Sequence, residues 1–316
     1  MKKTMIILAC LMMLGMQSVK AAEYAQIVLQ HNGNVTQFGF DQLVAAIAAA
    51  ETGDTLFLSA GSYKSSGTYV TIDKAITIIG AGADNTEIAN GIYVEIPNSP
   101  TLTARLLDGV RISGNLYVQA AVTGVVLRKC RITNTLGFIS GRTNIVKEMV
   151  LDRCGISDLI LGSALGSLTA NNSNIYGYVY GSGYADQSAV FVNCDIRANA
   201  SHSIGAHFRN CRITANNWYS YNEFTRFTNC LAVEGFTGFN GTRDTNCYTY
   251  SGALTDTSNE YFVSQGWVGT DGTAVGMYGT PTPYTLTPSG LSVTNYTLGV
   301  DTEKKQLNVK MTLGSH

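Results

Sequence analysis

FVNCDIRANASHSIGAHFRNCRITAN, residues 191–216, says the same thing twice. An aromatic, a spacer, Asn, Cys, any residue and an apolar residue occur as Phe191, Asn193, Cys194, Ile196 and again as Phe208, Asn210, Cys211, Ile213. The phrase continues downstream as Phe227, Asn229, Cys230, Ala232 and as Asn246, Cys247, Thr249. Upstream, Ser173 replaces the Cys beside Asn172 and Ile175. Before it stand Cys154 with Ile156, Cys130 with Ile132, Val110 with Ile112, and Thr86 with Ile88. Steps between these anchors run from 17 to 24 residues.

A strand-helix-strand unit takes about 30 residues or more, so the step is too short for one. It suits one coil of a parallel β-solenoid. Side chains alternate along a strand, so an anchor and the residue two later face the same side. Each coil then sends a Cys or small residue and an Ile inward. Constant strands with varying step lengths are what stacked repeats with outward loops produce. The Asn before the anchor fits a tight corner, because Asn tolerates the left-handed backbone and bonds to neighbouring main chain. Asn172, Asn193, Asn210, Asn229 and Asn246 hold that place in successive coils, at a spacing of about 4.8 Å where an amide ladder is possible.

Composition bounds the rest. Of 316 residues, 14% are charged, below the usual ~25%, and there are 33 Gly and 17 Tyr, suited to short strands and many turns. A net charge of −1 supplies no global field for nucleic acid or an anionic membrane. Residues 1–22 read as a signal peptide: Lys2 and Lys3, an apolar run over 5–16, and Val19 and Ala21 before the cleavage point. A lipoprotein signal at Cys10 is the alternative. The apolar run is too short for a membrane span, so no transmembrane segment is expected. An exported protein follows, extracellular, cell-surface or periplasmic. Six cysteines remain, 130, 154, 194, 211, 230 and 247. All occupy the repeat position, which argues for stacked buried thiols. Bridges between neighbouring coils are the alternative, since an even count in an exported chain suggests disulfides.

Residues 23–40 predict an opening strand. Residues 41–51, DQLVAAIAAAE, predict a capping helix with Asp41 at the N-cap, a stripe of Leu43, Val44 and Ile47, and Gly53 at its end. The stretch that follows, residues 53–88, carries Gly53, Asp54, Ala60, Gly61, Tyr63, Ile72, Asp73, Lys74, Ile79, Gly80 and Gly82. It resembles the opening coil of pectin-lyase-like right-handed β-helix proteins, in which a helix ends near a Gly-Asp turn, followed by an Ala-Gly-x-Tyr turn and strands ending Ile-Asp-Lys and Gly-x-Gly. Residues 268–288, with Asp271, Gly272, Thr273, Gly276, Tyr278 and Gly279, resemble the closing segment of secreted β-helix proteins from gut-type Bacteroidetes. The fold expected is all-β, a single-stranded right-handed parallel β-helix of about nine to eleven coils, its hand implied by the resemblance. Residues 23–280 form it with its N-terminal cap. Residues 281–316 form a proline-marked linker and a C-terminal β-hairpin cap or appendage, with strands over 291–313 around a turn at 301–304.

The superfamily holds lyases, hydrolases, binding proteins and adhesins, so the resemblance leaves activity open. The strings that mark its catalytic members are absent: Asn-Thr-Asp, Asp-Asp, Gly-His-Gly, Trp-x-Asp-His and Arg-x-Pro-x-x-Arg. Asp152, Asp158, Asp186, Asp195, Glu223 and Glu234 scatter over repeat positions, so no catalytic residue is assigned. No metal or other cofactor is assigned either; calcium held by loop acids is the one conceivable ion. Arg111, Arg131 and Arg212 follow their anchors and read as outward, with Arg128, Lys129, Arg142 and Lys147 near Arg131. His202 and His207 read as surface residues.

The aromatics are more specific. Tyr176, Tyr178 and Tyr180 alternate with Gly177, Val179 and Gly181, which puts three rings on one strand face. With Tyr184, and with Trp218, Tyr219 and Tyr221 two coils on, they make a candidate carbohydrate platform. Tyr180 and Trp218 each stand seven residues past an anchor, about 10 Å apart over two coils, and flat rings suit the apolar faces of sugars. The opposing reading is that these rings pad loops. The expected function is therefore non-catalytic polysaccharide binding by a monomer. The alternatives are a polysaccharide lyase or glycoside hydrolase acting on uronic-acid glycans, and a structural or adhesin-like surface protein.

Overall fold

The structure, a computed structural model, describes residues 26–97, 101–102, 106–119, 121–138, 146–162, 165–181, 188–197, 199–201, 205–214, 225–239, 244–279, 291–301 and 306–315. The chain divides into two compact units, Met1–Tyr284 and Thr285–His316, each taken by itself. The signal-peptide reading of residues 1–22 lies outside the described residues.

The first unit is a parallel β-solenoid. Strands that precede the anchors build an eleven-stranded sheet, in which Phe191 pairs with Phe208 and Phe208 with Phe227 in parallel register. Short strands that follow the anchors, such as Asp195–Ile196 and Arg212–Ile213, build a fifteen-stranded second sheet. A further strand of each coil joins that sheet, for example Leu116–Val118 and Tyr178–Gly181.

The corner between the sheets carries the repeat's signature. Asn172, Asn193, Asn210, Asn229 and Asn246 all adopt φ between 49° and 54°, the left-handed conformation that Asn tolerates. Lys129 (φ 50°) and Arg153 (φ 55°) hold the same place in earlier coils without an Asn. The amides do not form a uniform ladder: Asn246 Nδ2 donates to Asn229 Oδ1 at 3.5 Å, while Asn229 also binds Thr270. A left-handed backbone costs an ordinary L-residue roughly 1–2 kcal/mol, less for Asn. We therefore expect Lys129→Asn to stabilise the protein by up to about 1 kcal/mol. A higher urea midpoint at unchanged m would show it.

Inward positions are apolar apart from a few, such as the anchors Thr86 and Ser173. Phe191, Phe208 and Phe227 stack along the axis with ring centroids 4.8 and 5.1 Å apart. The cysteines stack likewise, and all six are free thiols, five buried and Cys247 half-buried. The alternative of bridges between coils does not hold. Each thiol lies within reach of carbonyl oxygens instead: Cys194 Sγ is 3.3 Å from Ala170 O and 3.2 Å from Val192 O, and Cys211 repeats the pattern with Phe191 and Arg209. Burial pushes the Cys154 and Cys211 thiols well up, which keeps them protonated and unreactive.

Both ends of the solenoid are covered. At the N-terminus the expected single strand is an antiparallel pair, Gln26–His31 with Asn34–Gly39, and the first of these pairs with Thr55–Leu58. The helix spans Leu43–Ala49. Asp41 does not cap it; Gln42 holds the N-cap place and its side chain accepts from Gly39 N at 2.8 Å. Val44 is exposed, so the buried stripe is Leu43, Ala46, Ile47 and Ala50. At the other end, the last described parallel strand is Tyr248–Tyr250. A helix, Asn259–Ser264, and a 3-10 turn, Gly276–Tyr278, follow it. Leu231, Tyr250, Phe262, Ala274 and Val275 form a separate small core there. The second unit contains an antiparallel hairpin, Leu291–Asp301 with Gln306–Ser315, irregular between Val293 and Asn295.

Candidate functional site

The outward face of the third strand of each coil brings the aromatics together. Val179 is fully buried, and Tyr178 and Tyr180 flank it on the opposite face, as alternation dictates. Tyr178 is 43% exposed and stacks on Tyr180 with centroids 5.4 Å apart. Tyr176 is 44% exposed. Its hydroxyl accepts from Asn174 Nδ2 at 3.0 Å, and the Arg197 guanidinium lies 5.8 Å from its ring centroid. Asp158 Oδ1 accepts from Tyr178 N at 2.9 Å, and a side chain at Gly177 would collide with that carboxylate. Tyr184, Trp218, Tyr219 and Tyr221 lie outside the described residues.

Sequence reasoning missed three further tyrosines. Tyr69 and Tyr93 stack with centroids 4.0 Å apart and planes 17° from parallel, and Tyr117 lies 6.0 Å from Tyr93. The strand register puts Thr71, Tyr93, Tyr117 and then Gly137 in one outward row. The adjoining coils continue it with Ile160, Tyr180 and Ser201. A side chain on Gly137 would meet the Tyr117 ring at 3.0 Å, and one on Gly91 would overlap the ring of Tyr69. The hydroxyl of Tyr69 accepts from Asn115 Nδ2 at 3.2 Å. Burial, then Tyr69, Tyr117 and Glu95, push the Tyr93 hydroxyl up. Burial, then Asp158 and Tyr178, do the same for Tyr180.

The signal was present in the sequence. Tyr93, Tyr117, Gly137 and Tyr180 each stand seven residues past an anchor, as Trp218 does. The offset fails once, because the register shifts between Ile132 and Thr135, so Ile160 and not Leu161 occupies the row.

Several acids and bases elsewhere are engaged with one another. Arg111 pairs with Glu87 at 3.3 Å and Arg131 with Asp84 at 2.8 Å. Arg128 lies between Asp108 and Asp152 at 4.0 and 3.5 Å. Arg212 and Arg197 share Asp195, which is buried rather than outward. Of the basic cluster around Arg131, Arg128 and Arg131 are thus matched by carboxylates, and Arg142 lies outside the described residues. Asp186 and Glu223 also lie outside them. His31 donates from Nδ1 to the Asp54 carboxylate at 2.9 Å, with Glu51 3.9 Å from Nε2, in a polar pocket beside the N-terminal hairpin. Asp54 there also accepts from Glu51 N, so the pair ties the hairpin to the first coil. Among the described residues no group of three or more His, Cys, Asp or Glu is placed to hold a metal ion. Nor is any described helix long and apolar enough to cross a membrane.

His207 lies half-buried on the first sheet, with Nε2 3.0 Å from Thr228 Oγ1; His202 is outside the described residues. Burial, with help from Arg209 and Arg226, pulls His207 below its ordinary 6.5. A depressed folded value makes its stabilising contribution complete above 6.5 and lost as pH falls through the folded value. Wild type should therefore lose stability relative to His207→Gln on acidification below 6.5, read as thermal midpoints across that range.

No family model matches the chain, and neither a curated protein nor a solved structure matches it.

Proposed function

We propose that this chain is an exported, non-catalytic polysaccharide-binding protein whose contact surface is the outward tyrosine face of the solenoid. The observation that carries the reading is the exposed Tyr178 stacked on the half-buried Tyr180 on one strand face, with the exposed Tyr176 just before that strand. Flat rings with wet hydroxyl edges match the apolar faces and polar rims of sugars. A sheet supplies that surface without the entropic cost of ordering a loop. The ion pairs that Arg111, Arg128, Arg131, Arg197 and Arg212 make with Glu87, Asp108, Asp152, Asp84 and Asp195 engage those groups structurally, which favours binding over acid–base chemistry at them. The pectin-lyase-like resemblance is compatible with this reading and does not require it.

The test is retention of the mature protein in affinity gels carrying neutral and uronic-acid polysaccharides, with and without calcium. The same mixtures are assayed for unsaturated products and reducing ends. Retention without product is expected. The double variant Tyr178→Ala, Tyr180→Ala should weaken it about tenfold or more, from roughly 0.5–1.5 kcal/mol per ring. Product formation would overturn the non-catalytic reading.

A further inference from the structure

We infer that the tyrosine face is one continuous track from Tyr93 to Tyr180, built for a neutral linear polysaccharide lying parallel to the solenoid axis. This rests on the polysaccharide-binding reading above and adds a direction, a length and a ligand class.

Direction follows from register. Tyr93 pairs with Tyr117, Tyr117 with Gly137 and Ile160 with Tyr180, and the register Leu136 with Leu159 sets Gly137 beside Ile160, so the five make a row, one per coil, perpendicular to the strands. At about 4.8 Å per coil the row spans roughly 19 Å, the length of about four sugars laid end to end. The row is apolar over that whole length. Gly137 does not interrupt it, because the Tyr117 ring leans onto the space a side chain there would take. Ile160 follows on the other side of that glycine, and its Cδ1 would lie 3.6 Å from a side chain built there. The two aromatic groups at the ends are therefore joined by an apolar floor.

Ligand class follows from charge. The row and the row beside it, Tyr69, Gly91, Asn115, Thr135, Asp158, Tyr178 and Asn199, contain no Lys or Arg. The charged residue within these two rows is Asp158, and the far border carries Asp73 and Glu95, both exposed. Arg197 approaches only the Tyr176 edge, and it is already paired with Asp195 at 2.7 Å. Among the described residues, a uronate or sulfated chain on this track meets carboxylates and no free cation. A neutral chain finds rings for its faces and hydroxyls for its rim.

The test uses linear neutral gluco-, xylo- and manno-oligosaccharides of about two to six sugars, with polygalacturonate fragments of matched length, in titrations at low salt. For the neutral series that binds, affinity should climb with length up to about four sugars and then level. Tyr117→Ala and Tyr180→Ala fall in the two aromatic groups, on either side of Gly137 and Ile160. Each should weaken the longer chains about three- to tenfold and change the disaccharide by no more than about twofold, with circular dichroism unchanged. Glu95→Gln combined with Asp73→Asn should raise polygalacturonate binding without weakening the neutral chains. Length-independent affinity, or long-chain binding that ignores Tyr117→Ala, would overturn the continuous track. Polygalacturonate bound as tightly as the neutral series would overturn the ligand class. Failure of wild type to hold any polysaccharide would instead overturn the binding reading itself, and the track with it.

Discussion

Phe208→Ala is expected to lower the unfolding free energy by about 3–5 kcal/mol, the range for deleting a buried phenyl ring. Phe208 is fully buried and lies between Phe191 and Phe227, with near-parallel rings on both sides. The cavity left behind cannot close easily. The strand carrying Phe208 is hydrogen-bonded to a parallel neighbour on each side, which fixes the coil spacing near 4.8 Å. Phe191 and Phe227 cannot move together without breaking those ladders. Phe208→Leu keeps much of the volume and loses the stacking, worth roughly 0.5–1.5 kcal/mol per aromatic pair, so it should fall between wild type and alanine. Because each coil touches only its neighbours, the loss should be local in origin. Hydrogen exchange should show the strands of Phe191 and Phe227 losing protection before those near Leu116. Urea unfolding of the three proteins measures the effect. A loss below about 1 kcal/mol for alanine would mean the core relaxes around the site and that the ring stack is not what holds these coils in place.

The repeat was legible because it is written in side chains that have one physical reason each. Cys194, Cys211 and Cys230 are inward because a small apolar atom fits the corner, and their Asn partners are left-handed because that corner demands it. The two ends were legible only in part. Their elements answer to the exposed edge of a coil and not to the repeat, so a second strand appears at Asn34–Gly39 and a helix at Asn259–Ser264 beyond the last described parallel strand. Of the candidate site, Tyr176, Tyr178 and Tyr180 were visible from alternation alone. Tyr69, Tyr93 and Tyr117 were not, because each is a single tyrosine in its strand and shows no local pattern. They become a set only when strands about 24 residues apart are laid side by side. The irregularity between Ile132 and Thr135 hides the link between the two aromatic groups, since it shifts the row by one residue.

Asp195 shows the same limit from the polar side, and its replacement carries the other large effect. It follows its anchor directly, a position that reads as outward, yet it is 1% exposed. The C-terminal turn explains this. Arg212 grips the carboxylate through Nε at 2.9 Å and Nη2 at 2.5 Å, while its Nη1 donates to the Tyr278 hydroxyl. Arg197 Nε adds a third hydrogen bond to Asp195 at 2.7 Å. Burial alone would pull Arg212 down, but the Asp195 hydrogen bonds and charge outweigh it and hold the guanidinium above its ordinary value. Asp195→Ala removes the counter-charge and leaves the largely covered Arg212 against Tyr278 without it. Breaking one side of a buried pair costs about 3–5 kcal/mol. Removing both charges should not: Asp195→Leu with Arg212→Met replaces the pair by apolar groups, which is often neutral or stabilising. A double-mutant cycle by urea denaturation separates the cases, and the double variant should be more stable than Asp195→Ala alone. Fluorescence of Trp267, which packs on Phe262 in the small core beyond the last coil, should report loosening in Asp195→Ala before global unfolding. If instead the single variant costs under about 1 kcal/mol and Trp267 is unaffected, water reaches Arg212 and the turn at Gly276–Tyr278 is held by its apolar contacts.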